Sequence, residues 1–127
     1  MSPTTIPASS QRATVERYLE LIGTGTAQEI AALYAEDATV EDPAGTPPKK
    51  GKAAIAEFYE GAAALDCTAT LLTYRESGRT AAFHFRVSTK LPESAVDVSP
   101  IDVMTFDEQG KIASMKAIFA ESDYEIA

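Results

Sequence analysis

Two aspartates and three tyrosines are the side chains of this sequence whose types and settings suit chemistry. Asp102 interrupts the apolar stretch Pro100-Ile101-Asp102-Val103-Met104. Read with the two-residue period of a strand, it shares a face with Val96, Val98, Met104 and Phe106, so its carboxyl points among hydrocarbon. Burial disfavours the ionised form, which makes this side chain a protonated acid near neutral pH, a hydrogen-bond donor rather than a base. The structural alternative is a bulge, or an aspartate tied to backbone amides. Asp42 ends the run Thr39-Val40-Glu41-Asp42-Pro43, where an extended segment meets a proline loop. Ionised there, it is a candidate general base at a pocket mouth; Asp before Pro is also a common turn starter. Tyr18, Tyr34 and Tyr59 fall on the inward faces of three successive helical patterns. Buried phenols need partners, and these three are able to satisfy one another or to bond main-chain carbonyls.

The remaining reactive types offer less. His84 alternates with Phe83 and Phe85 and so points away from their face, which leaves it no catalytic role. Cys67 reads as a small buried or half-buried residue. As the one histidine and the one cysteine of the chain, they make no cluster of transition-metal ligands. Glu36, Asp37 and Glu41 read as solvated surface acids.

The elements that must position these residues follow from periodicity. From Ser10 onward, Val15, Tyr18, Leu19 and Ile22 recur on one helical face, and Gly23 with Gly25 supplies a stop. Thr26-Ala27-Gln28-Glu29 has the capping-box pattern, with Ile30, Leu33 and Tyr34 as the inward face of a short second helix. A short strand over Ala38 to Glu41 leads into the loop Asp42 to Pro48, and Ala53 to Ala64, with Ile55, Phe58 and Tyr59, makes a third helix. Beyond it the period becomes two. Thr68 to Arg75, Thr80 to Thr89, Ala95 to Asp107 and Lys111 to Glu121 read as four long antiparallel strands separated by turn signals. Helices first and strands after predict an α+β domain whose curved antiparallel sheet wraps around three N-terminal helices as a cone enclosing an apolar pocket. Phe83, Phe85 and Val87, with Met115, Ala117 and Phe119, point into that cone.

At 127 residues the chain supports one core, expected over 11–127, after a frayed arm over 1–10 that is removable without loss of activity. That arm lacks the basic start and apolar core of a signal peptide, and no apolar run is long enough to span a bilayer. A formal charge of −8 disfavours nucleic acid and anionic membrane as partners and favours a neutral ligand. One cysteine permits no internal disulfide, and the cytoplasm is the simplest compartment.

Taken together, Tyr18 within Val15-Glu16-Arg17-Tyr18, the run Tyr34 to Pro43, Gly51 to Tyr59, Pro100-Ile101-Asp102 and Met115 to Glu121 resemble the bacterial ketosteroid isomerases, in order and spacing, across nearly the whole chain. The match is dense over Val15 to Gly61 and Ser99 to Glu121; over Ala62 to Val98 only the strand pattern agrees. In that family two carboxyls hold opposite protonation states at one site, and the resemblance implies the same here: Asp42 as general base, Tyr18 and protonated Asp102 as an oxyanion hole. It further implies that Tyr34 and Tyr59 orient the Tyr18 phenol, and that Phe58, Phe85, Met115 and Phe119 line a sterol slot, Phe119 standing where some relatives have tryptophan. The implied substrate is a small apolar 3-ketosteroid whose double bond shifts from Δ5 to Δ4, with no metal or organic cofactor. A homodimer joined through the outer face of the sheet, where His84 and Arg86 could lie, is implied too. Other enzymes of this fold, of the polyketide cyclase or epoxide hydrolase type, and a passive binder of an apolar ligand are the competing expectations.

Overall fold

Ser9 is the first residue that the computed structural model describes, and Ile126 the last. Its hydroxyl accepts from the Arg12 amide at 3.1 Å and caps α1, Ser10–Thr24. Ser9 and Ser10 therefore belong to the helix; the remainder of the expected arm lies outside the described residues. Val15, Tyr18, Leu19 and Leu21 form the buried stripe of α1, and Gly25 ends it by donating its N–H to Leu21. Gly23 allows a close approach of main chain to main chain: a Cβ there would stand 2.8 Å from the main-chain oxygen of Cys67. The capping box forms as expected, with Thr26 and Glu29 exchanging bonds of 3.1 and 3.2 Å at the start of α2, Ala27–Ala31.

Tyr34 departs from the expectation. It is not on α2 but is the first residue of β1, Tyr34–Glu41, because the Ile112 amide captures the carbonyl of Leu33 and draws the chain into the sheet. A register shift between Tyr34 and Thr39 breaks the alternation, so Tyr34, Ala35, Ala38 and Val40 are all buried while Glu36 and Asp37 face solvent. That irregularity hid the first half of the strand. After the proline loop come β2, Lys49–Lys50, and α3, Lys52–Ala63, whose buried side chains are Ile55 and Tyr59.

The sheet is completed by β3 (Asp66–Ser77), β4 (Thr80–Lys90), β5 (Ala95–Val98), β6 (Ile101–Phe106), β7 (Ile112–Ile118) and β8 (Tyr124–Ile126). Neighbours run β2-β1-β7-β6-β4-β5-β8, with β3 along the other edge of β4. The expected single strand Ala95 to Asp107 is two, since Pro100 cannot donate to a ladder. One half pairs with the end of β4 and the other with its beginning. The sheet is mixed rather than wholly antiparallel: β1 runs parallel to β7. The sheet does not close, and its concave face packs on the helices as an α+β cone. The core joins Ile30 and Ile55 from the helices to Tyr34, Phe83, Met104, Ile112 and Met115 from the sheet. Among the described residues no helix is long and apolar enough to cross a membrane.

Candidate active site

Strand register sets the two carboxyls in one row across the sheet. Glu41 pairs with Lys116, so the next residue, Asp42, arrives beside Ala117; Ala117 pairs with Asp102, and Asp102 with Phe83. Asp42 and Asp102 are thus two strand spacings apart, about 10 Å between backbones at ~4.8 Å per strand. Between them Ala117 presents only a methyl group, which leaves the floor open. Both acids line one cavity of about 260 Å³ together with Tyr18, Tyr59, Phe58, Phe85 and Phe119.

Asp102 is 1% exposed, and its Oδ1 has no hydrogen-bond partner among the described residues. The ladder around it is regular, the shift in β6 coming only after Thr105. Neither a bulge nor a cage of backbone amides accounts for the burial of this acid. Burial holds its pKa well above the ordinary carboxylate value, and the nearby charge of Asp42 adds to that. Asp102 therefore holds its proton to higher pH than an ordinary carboxylic acid, and it lines an apolar cavity.

Asp42 has a different setting. The turn after it is closed by other groups: Glu41 accepts from the Gly45 amide at 3.2 Å, and Pro43 accepts from the amide and hydroxyl of Thr46. Its carboxylate is half-buried and faces the cavity. Burial raises its pKa, while Lys49, which pairs with Val40 across β1 and β2, pulls the other way. Lys49 also sets its ammonium 4.9 Å from the ring centroid of Phe58. Nothing in the residue pattern marked Lys49, because β2 is only two residues long.

The three phenols form one chain despite the different element that carries Tyr34. Tyr34 and Tyr59 hydroxyls are 2.7 Å apart, and Tyr59 and Tyr18 hydroxyls 3.0 Å. All three titrate well above the ordinary tyrosine value, chiefly because they are buried. They remain neutral donors at any physiological pH. Tyr59 bridges the other two and lines the cavity beside Tyr18, whereas Tyr34 lies fully buried behind them.

Of the expected slot residues, Phe58, Phe85 and Phe119 line the cavity. Met115 does not: at 1% exposure it sits in the core, and Ala117 and Phe119 provide the wall on that strand. Inward orientation on a strand places a side chain toward the helices, but only beyond the point where the helices end does it meet open space. His84 is absent from the cavity wall, as its alternation with Phe83 and Phe85 requires. Residue reading missed Tyr124, which lines the far end with its ring centroid 5.9 Å from that of Phe119. The signal was present as the alternation Tyr124-Glu125-Ile126 after Ser122-Asp123, but three residues are a weak strand pattern.

Residues 15–115 match the SnoaL-like domain family. The chain is 47% identical over 112 residues to a protein of Nocardioides simplex named steroid Delta-isomerase, covering 88% of this chain and 91% of the relative. Among solved structures, the epoxide hydrolase/cyclase-like enzyme SalBIII, described in pyran ring formation in the polyether salinomycin, superposes with a TM-score of 0.85 at 23% identity over 92% of this chain and 95% of its own. RV0760c of Mycobacterium tuberculosis gives a TM-score of 0.87 at 18% identity over 97% of this chain and 100% of its own. These two likenesses are of fold. With the family match over most of its length and close identity to one member, the chain belongs to the SnoaL-like family and, within it, to the ketosteroid isomerases.

Proposed function

We propose that the protein is a steroid Δ-isomerase that moves the double bond of a Δ5-3-ketosteroid into conjugation with its ketone. One observation carries the proposal: a buried Asp102, its Oδ1 unpartnered and its pKa raised by burial, shares a cavity with the Tyr18 phenol and the Asp42 carboxyl. A C–H between a ketone and a double bond is acidic, since its removal delocalises charge onto the ketone oxygen as a dienolate. Asp42 takes that proton, while Tyr18 and Asp102 donate to the oxygen as its charge grows. The same carboxyl then returns the proton to the far end of the conjugated system, leaving the Δ4 enone. Proton count and charge balance within the cavity, and the enzyme ends as it began. Donors fixed in a dry site stabilise the oxyanion without reorganising solvent, and loss of one such donor costs roughly 10²- to 10³-fold in turnover.

Hydrolysis of an epoxide, the chemistry suggested by one of the structural neighbours, commonly adds an arginine to two acids in such a site. No arginine lines this cavity among the described residues, and Arg17, next to Tyr18 in sequence, is paired with Glu20 at 2.7 Å on the outside of α1. A passive sterol carrier has no use for a half-buried carboxylate that must be desolvated.

The enzyme acts as a homodimer in this proposal, joined through the convex side of the sheet. Exposed Ile101 and Ile118 pair across β6 and β7, His84 pairs with Ile101, and exposed Leu72 continues the row on β3. Such an apolar band on an otherwise strongly acidic protein supports self-association. The unpaired thiol of Cys67 supports placement in the reducing cytoplasm.

The test is the ultraviolet absorbance rise that accompanies conversion of 5-androstene-3,17-dione to its conjugated isomer. The wild type should give a rapid rise, Asp42→Asn almost none, and Tyr18→Phe a rate reduced by roughly 10²-fold or more. Folded wild-type protein that gives no rise contradicts the proposal, and unimpaired variants contradict the assigned roles.

A further inference from the structure

The cavity has a second polar end. Along β4 the inward side chains Phe85, Val87 and Thr89 all line it, and at Thr89 the strand faces Cys67 of β3, another lining residue. Thr89 Oγ1 and Cys67 Sγ are 3.2 Å apart. Phe83, opposite Asp102, and Thr89 lie on the same strand, at most ~20 Å apart before curvature shortens the path. On β4 the lining side chains between them, Phe85 and Val87, are hydrocarbon, as are those of Val98 and Ile22 on the same cavity.

A hydroxyl on such a wall needs a reason. A thiol is a weak donor and a weak acceptor, so it leaves the Thr89 hydroxyl most of its bonding capacity. Valine has the same shape and would close the wall without a polar atom. Resting on the isomerase reading, we propose that Thr89, backed by Cys67, binds an oxygen on the terminal ring of the steroid. The site then selects 3-ketosteroids that carry a ketone or hydroxyl at C17 over those with hydrogen or an alkyl chain there. A rigid frame held by an oxygen at each end is fixed in translation as well as tilt, which sets its acidic C–H over Asp42. Cys67 is a positioning residue, its own place set by its pairing with Thr89 in the β3–β4 ladder.

Two steroids separate this inference from the reading beneath it: 5-androstene-3,17-dione and 5-androsten-3-one, which lacks the C17 oxygen. Wild type should favour the dione in kcat/KM by about five- to tenfold, the scale of one neutral hydrogen bond, and mostly through KM. Thr89→Val should abolish the preference, bringing kcat/KM for the dione to that for 5-androsten-3-one, and Thr89→Ser should retain it. Equal kcat/KM for both steroids in wild type overturns the inference and leaves the isomerase intact, as does a preference that survives in Thr89→Val. A variant slowed equally on both substrates overturns it too. If folded wild type converts neither steroid, the isomerase reading falls and takes this inference with it.

Discussion

At the scale of single residues, two aspartates separated by one alanine in the sheet diverge because their polar surroundings differ. Asp42 is only half-buried and has Lys49 near it; Asp102 is almost wholly buried, and its one nearby charge is another carboxylate. This difference has a consequence for stability. In the unfolded chain Asp102 ionises around its ordinary value of 3.8, whereas the folded protein keeps its proton to well above that. Its contribution is therefore fully present below pH 3.8 and is lost progressively as pH rises toward the folded value, at about 1.4 kcal/mol per pH unit. Asp102→Asn removes that slope. Denaturant unfolding at a series of pH values should show the variant gaining on wild type as pH rises from about 4 toward neutrality; parallel curves would place Asp102 as an ionised residue. Much of this chemistry was legible in the residue string, since an acid on the apolar face of a period-two pattern must shed its charge or find a partner. The role of Glu41 in closing the turn beside Asp42 was not, because it depends on which of two adjacent acids faces the loop.

At the scale of elements, close packing at the junction of α1 and β3 holds one wall of the cavity. Gly23 faces the Cys67 carbonyl so tightly that an added methyl must push the helix or the strand aside. Gly23→Ala should destabilise the protein by about 1–3 kcal/mol, the usual cost of overpacking, read as a lowered denaturant midpoint. An unchanged midpoint would mean that the junction yields without cost. The limits of the first and third helices, the capping box at Thr26 and the strand character of the second half followed from period and caps, whereas the second helix ends three residues before Tyr34. Phase within strands did not follow from period. A register shift between Leu71 and Thr73 turns Tyr74 inward where strict alternation from Cys67 would turn it out, and the shift in β1 breaks the alternation that would have marked Tyr34 as part of the sheet. Bulges alter one residue of spacing, and an alternation pattern read over a few residues has no means of registering them.

At the scale of the whole molecule, the curved sheet and its three helices are a shared scaffold, and the cavity side chains decide what it does. In the proposed dimer the exposed band of Ile101, Ile118 and Leu72 serves assembly rather than chemistry, which makes it separable. Ile101→Glu should shift the sedimentation profile from dimer to monomer while each folded subunit keeps its cavity intact. A wild-type protein that sediments only as monomer at micromolar concentration would contradict the dimer. Assembly was the part least open to reading from the sequence, because an exposed isoleucine on a strand is indistinguishable from a buried one until the faces of the sheet are assigned.

The proposed mechanism requires two aspartates holding opposite protonation states in one cavity, and infrared difference spectroscopy reads those states directly. Wild type minus Asp102→Asn, at neutral pH, should contain the carbonyl band of a protonated carboxylic acid, and wild type minus Asp42→Asn the paired bands of a carboxylate. A carboxylate signature for Asp102 at neutral pH would contradict its part as a donor to the dienolate, and with it the proposed mechanism.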